Sequence, residues 1–101
     1  MPLSAYRSTP VIISGYLYTD DLSTTGIHLD TPAWFDWLLL GFTFYYRARL
    51  APFTARRELR QKRYFWYAFC HVHGTLRKLY LGPSQRLSGQ SLDLVARRFI
   101  D

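Results

Sequence analysis

Cys70, His71 and His73 are the residues whose types and spacing first suggest chemistry, because a thiolate and imidazoles can bind zinc or activate a nucleophile. The run Tyr64–Val72 reads as a strand, and there Cys70 faces opposite His71 and His73. No fourth ligand is close in sequence, and nothing orients a Cys/His pair. A buried thiol beside two turn histidines is the simpler reading, so no metal and no cofactor are expected. Glu58 stands among cations and reads as an ion-pair partner, not a general acid. Eight tyrosines invite a recombinase-type nucleophile, yet 101 residues are too few to hold the cluster of phosphate activators that such chemistry needs. The scattered Ser-Gly and Leu-Gly steps form no phosphate-cradling loop. The chain is therefore expected not to be an enzyme.

The charged residues point elsewhere. Thirteen Lys and Arg face seven Asp and Glu, a formal charge of +6. Residues 1–40 hold one cation, Arg7, against Asp20, Asp21, Asp30 and Asp36. Residues 41–101 hold the other twelve against Glu58, Asp93 and Asp101, and ten of those twelve are arginine. Arginine presents a planar fork of donors that matches phosphates and base edges, whereas lysine is a point charge. A basic segment behind an acidic one suggests a polyanion-binding unit with an appended piece of different purpose, although solubility alone also favours net charge.

The elements that must position these side chains fit one domain. Hydrophobic residues at 49% and aromatics at 18% are enough for a core. One cysteine excludes an internal disulfide and any zinc module built on two or more, and it fits a reducing cytoplasm. No secretory signal is expected, since Met1–Thr9 lacks a basic patch leading into an apolar run. The apolar stretch Ala33–Tyr46 is broken by Asp36 and Thr43 and falls short of the ~20 residues of a spanning helix, so no membrane is expected. Residues 1–30 read as an extended N-terminal arm in which Val11–Ile13 and Tyr16–Tyr18 either pair as short strands or dock on another subunit. Residues 31–101 read as the folded domain.

In that domain Thr31-Pro32 marks a helix start, Trp34, Trp37 and Leu38 follow helical spacing, and Gly41 ends the run near residue 40. Four β-like runs come next: Phe42–Arg47, Phe53–Leu59, Tyr64–Val72 and Thr75–Leu81. His73-Gly74 predicts a tight hairpin between the last two, and Gly82-Pro83 stops the final strand. Ser88 caps a closing helix over 89–100, where Leu92, Val95, Ala96 and Phe99 form one apolar stripe. The fold class is α+β: a three- to four-stranded antiparallel sheet on a C-terminal helix, with a short Trp-bearing helix before it.

One layer of helix covers one face of such a sheet. Trp66, Ala68 and Cys70 suit the covered face, with Phe53, Ala55, Leu59, Leu79 and Leu81; Arg57 is a blemish on it. The other face then carries Thr54, Arg56, Tyr67, Phe69, His71, Lys78 and Tyr80, with Phe65 alongside and Arg60, Lys62 and Arg63 in the preceding loop. It is basic and interleaved with aromatic rings. A ribbon of two or three strands can enter a DNA major groove, where Arg, Lys, Thr and Tyr reach phosphates and base edges. The same composition can stack unpaired bases.

The motifs Ala33-Trp34-Phe35-Asp36-Trp37-Leu38, Phe53-Thr54-Ala55-Arg56-Arg57-Glu58, Trp66-Tyr67-Ala68-Phe69 and Leu76-Arg77-Lys78-Leu79-Tyr80-Leu81-Gly82 resemble a small bacterial module. That module occurs alone in cyanobacteria and related bacteria, and at the front of large helix-turn-helix transcriptional regulators. Its strand–strand–strand–helix order is similar to the arm-type (AP2-like) DNA-binding domains of tyrosine recombinases. The resemblance implies nucleic-acid contacts by Thr54, Arg56, Tyr67, Lys78 and Tyr80. Where the module usually carries basic residues after its Trp-Tyr-Ala strand, this chain has Cys70-His71, which weakens the phosphate grip there.

Together these features lead to the expectation of a cytoplasmic, nucleoid-associated protein that binds double-stranded DNA, in transcription or mobile-element control. Arg77 would add a phosphate contact if it reaches round the sheet edge. With six to ten phosphates neutralised, affinity would fall ~10³–10⁵ between about 50 and 200 mM salt. The alternatives are a protein–protein module using the aromatic face, and an RNA or single-strand binder. A homodimer through residues 1–30 or through the Trp34/Trp37 helix is also open.

Overall fold

The computed structural model describes residues 9–18 and 24–100. Among these residues seven strands form a single sheet: β1 (Val11–Ile13), β2 (Tyr16–Tyr18), β3 (Thr24–His28), β4 (Thr43–Tyr46), β5 (Phe53–Arg60), β6 (Arg63–Val72) and β7 (Thr75–Gly82). Helix α1 (Pro32–Leu40) lies between β3 and β4; a 3-10 turn (Ser84–Arg86) and helix α2 (Gly89–Ile100) follow β7. The order across the sheet is β3-β2-β1-β4-β5-β6-β7, and every neighbouring pair is antiparallel except β1 and β4.

The sheet is therefore larger than the three or four strands expected from sequence. The described parts of residues 1–30 supply three of its strands: Val11–Ile13 and Tyr16–Tyr18 pair antiparallel, one of the two alternatives left open by the sequence, and Thr24–His28 adds a third. Ile12 and Leu17, each 1% exposed, anchor those strands in the same core as the rest. Residues 1–8 and 19–23 of the expected arm lie outside the described residues. In the Trp34/Trp37 helix, Trp34 is fully buried and stacks on half-buried Trp37 (5.7 Å between ring centroids, 11° between planes).

Local chemistry explains the remaining elements. Thr31 accepts a hydrogen bond from the Trp34 backbone N–H and Pro32 takes the first helical position, which fixes the start of α1. Gly41 ends α1 at an ordinary φ of −77°, so it is there for space: a Cβ would meet the Trp37 ring at 2.8 Å. Three hairpins turn at Ser14-Gly15, Gln61-Lys62 and His73-Gly74, all with positive φ at both residues, as the tightest hairpin turns require. In α2, the Ser91 N–H donates to Ser88 Oγ, the expected cap.

Both helices pack on one face of the sheet. Trp34 and Leu38 of α1 and Leu92, Val95, Ala96 and Phe99 of α2 join Phe44, Phe53, Ala55, Trp66 and Ala68 in a continuous core. The two fully buried indoles find acceptors: Trp34 Nε1 donates to the Leu87 carbonyl (2.7 Å) and Trp66 Nε1 to Ser84 Oγ (2.9 Å). Leu59, expected in this core, lies on the helix side but beyond the helices, and it is 59% exposed.

Tyr46 ties β4 to α2 by donating its hydroxyl to the Asp93 carboxylate. Burial first, then that bond and the Asp93 charge, push its pKa well above the ordinary value near 10. The native state thus keeps a proton that the unfolded chain loses. Stability from this group is complete below about pH 10 and declines above it by about 1.4 kcal/mol per pH unit. In urea unfolding between about pH 9 and 11, Tyr46→Phe is expected to flatten this decline.

Candidate nucleic-acid interface

The face turned away from the helices is built by register. Across β5 and β6 the pairs Thr54–Phe69, Arg56–Tyr67, Glu58–Phe65 and Arg60–Arg63 fall on it. Across β6 and β7 it receives Tyr67–Tyr80, Phe69–Lys78 and His71–Leu76. An irregularity beside Trp66 and Tyr67 pairs Trp66 with Gly82 and Tyr67 with Tyr80, leaving Leu81 as an extra residue that stays buried in the core. Tyr80 consequently contacts both Phe65 (6.1 Å) and Tyr67 (5.5 Å) with its ring. Among the described residues, the side chains of both helices pack on the opposite face.

Cations lie over the rings of β6. Lys78 Nζ sits 4.4 Å from the Tyr67 ring centre and 5.5 Å from that of Phe69. The Arg56 guanidinium is 5.2 Å from the Phe69 ring centre, and that of Arg60 is 5.7 Å from Tyr67. Each such contact is a weak attraction, because water reaches the cation. Glu58 Oε1 accepts from Arg60 Nη2 (2.6 Å) and from Lys78 Nζ (3.0 Å), a bridge that passes over β6. The Lys78 hydrogen bond, aided by that from Arg60, holds the Glu58 carboxyl below the usual carboxylate range.

Of the residues singled out from sequence, Thr54, Arg56, Arg60, Tyr67, Phe69, His71, Lys78 and Tyr80 share this face, with Arg63 at its end and Lys62 in the β5–β6 turn. Arg77 does not. It pairs with Cys70 on the helix side, and its Nη1 donates to the Phe99 carbonyl (3.1 Å) near the end of α2. There it satisfies a carbonyl left free by the helix and complements the helix dipole. Arg57 is likewise on the helix side, stacked at 4.7 Å on Phe42 and 4.1 Å on Tyr64 and donating to the Leu39 carbonyl. Phe65 and Glu58 belong to the face although neither stood among the expected contacts; the two-residue strand period already placed both there.

Among the described residues, β1, β2 and β4 continue this face with uncharged side chains: Val11, Ile13, Tyr16, Tyr18, Thr43 and Tyr45. A shallow groove of about 650 Å³ separates the two zones, lined by Thr9, Val11, Thr43, Tyr45, Thr54 and Arg56 among others. The Arg57 guanidinium lies over the rings of Phe42 and Tyr64 and donates to the Leu39 carbonyl; Leu39, Leu40, Phe42, Leu59 and Tyr64 are exposed, Leu40 by 80%.

Cys70 is half-buried, with Sγ 3.4 Å from the Pro52 carbonyl, while His71 projects from the other face. Among the described residues no three His, Cys, Asp or Glu side chains come together as metal ligands, and no helix is long and apolar enough to cross a membrane. Comparisons with protein-family models, curated proteins and solved structures found no match.

Proposed function

We propose that this chain is a non-enzymatic protein that binds double-stranded DNA through the uncovered face of β5–β7. The observation that carries this reading is the set of five cations, Arg56, Arg60, Lys62, Arg63 and Lys78, set among the rings of Phe65, Tyr67, Phe69 and Tyr80. Three strands span about 10 Å between their outer axes, against a major groove about 12 Å wide. Sheet twist of about 20–25° per strand carries the uncharged N-terminal strands away from a duplex seated on β6, so only one lobe of the sheet enters. Arg56 and Lys78 would sit at the centre of the contact. Thr54, Tyr67 and Tyr80 bring hydroxyls for phosphates or base edges, and Arg60, Lys62 and Arg63 would grip phosphates beside the hairpin end. The resemblance to arm-type domains agrees with this use of a sheet, and a cytoplasmic, nucleoid-associated role follows from it.

The test is a mobility shift with random duplex at two salt concentrations. With Arg77 turned away, four to five phosphates are within reach, so affinity should fall about 10²–10³-fold between about 50 and 200 mM salt. No shift at the lower concentration, or a shift indifferent to salt, overturns the reading. Single-strand binding is disfavoured because cations already lie over the two central rings. One observation favours a second reading, a protein–protein contact: the exposure of the large apolar side chains of Leu39, Leu40, Phe42, Leu59 and Tyr64. A salt-indifferent species of twice the chain mass in light scattering would support it.

A further inference from the structure

We propose that Glu58 occupies, in the free protein, the seat of a DNA backbone phosphate, and that a duplex must displace it to bind. This rests on the DNA-binding reading above and deepens it by naming a phosphate subsite. A face built only to attract a polyanion has no use for an acid at its centre. Yet a single carboxylate oxygen, Glu58 Oε1, receives both Arg60 Nη2 at 2.6 Å and Lys78 Nζ at 3.0 Å. Those are the lengths of charge-assisted bonds to an anionic oxygen, and a non-bridging phosphate oxygen makes the same ones. The two cations come from β5 and β7, on either side of β6, and they converge on one point above it.

The aromatic rings hold that point in place. Lys78 lies over Tyr67 and Phe69, and Arg60 lies over Tyr67, so both cations are steered to the seat by the rings beneath them. Glu58 relieves their mutual repulsion while the face is empty. A phosphodiester keeps its charge at every physiological pH and takes the carboxylate's place. A lone small anion brings only one such contact, whereas a duplex brings its neighbouring phosphates to Arg56, Lys62 and Arg63 at the same time. The carboxylate thus sets a threshold that favours a dense polyanion over scattered anions.

The experiment compares wild type, Glu58→Gln and Asp36→Asn for a short random-sequence duplex by fluorescence anisotropy across a salt series. Asp36 is an exposed acid on α1, on the other side of the sheet, so its variant makes the same change in net charge away from the seat. Glu58→Gln should bind about tenfold more tightly at about 0.1 M salt and steepen the salt slope by about 0.9, one net phosphate more. Asp36→Asn should change affinity less than about twofold. Equal gains in the two variants, or no gain or a loss in Glu58→Gln, overturn the phosphate seat and leave DNA binding standing. Failure of wild type to bind at low salt overturns DNA binding and the seat with it. Thermal melts of all three proteins establish that they are folded.

Discussion

The double variant Arg56→Glu with Lys78→Glu should lose DNA binding by about 10³–10⁴-fold at about 0.1 M salt, because four units of charge change at the centre of the face. The salt slope should fall by about 3.6 in parallel. Both side chains are exposed, so the core is untouched. The change does remove three cation–ring contacts and one ion pair, and it sets a second carboxylate beside Glu58 where the Lys78 ammonium had been. The expected result is a lowered melting temperature with the fold retained.

The matching control reverses Arg49 and Arg98, two exposed cations of the helix side. The net charge of that variant is the same, so any loss it shares with the first is long-range attraction, and the remainder belongs to the sheet face. A sheet-face variant no weaker than this control would refute the assignment of the interface. Arg77 provides a third comparison. Neutralising it should reduce stability by removing its bond to the Phe99 carbonyl, and should leave the salt slope nearly unchanged.

That contrast marks where the sequence is informative. On β5, β6 and β7 the two-residue period assigns faces correctly, because each strand is at least eight residues long and one face is filled with buried groups. Helix α2 is equally legible from its apolar stripe. Of the N-terminal strands, the sequence offers β1 and β2 as one of two alternatives; with three residues each, one of them buried, they do not reveal that β1 joins the sheet in parallel next to β4, more than thirty residues away in the chain. Local pattern holds no trace of such a pairing. The turn at Gln61-Lys62 is similarly hidden, since neither residue favours positive φ and only the ladder on both sides imposes it. On the proposed interface, charge and parity supplied the residues, while the bridge from Glu58 over β6 to Lys78 depends on side-chain reach across two strand spacings. Arg77 shows the converse: its basic character says nothing about direction, and parity alone puts it under α2.

The helix side predicts the largest loss of stability. Trp34 is 0% exposed, stacks on Trp37, meets Phe44 edge-on at 5.3 Å, and donates to the Leu87 carbonyl across the core. Trp34→Ala should cost about 3–5 kcal/mol from the cavity alone, and about 1–3 more for the buried carbonyl left without a donor. A domain of this size has about 5–15 kcal/mol in total, so the variant should be largely unfolded or melt tens of degrees lower. Trp34→Phe separates the two parts. It keeps most of the ring and loses the N–H, so about 1–3 kcal/mol should go. Because Trp34 lies beneath the sheet and the cations above it, the Phe variant should still bind DNA with its salt slope intact. If its affinity fell as far as its stability, the two faces of the sheet would be coupled, and the interface could not be treated as a rigid surface carried by the core.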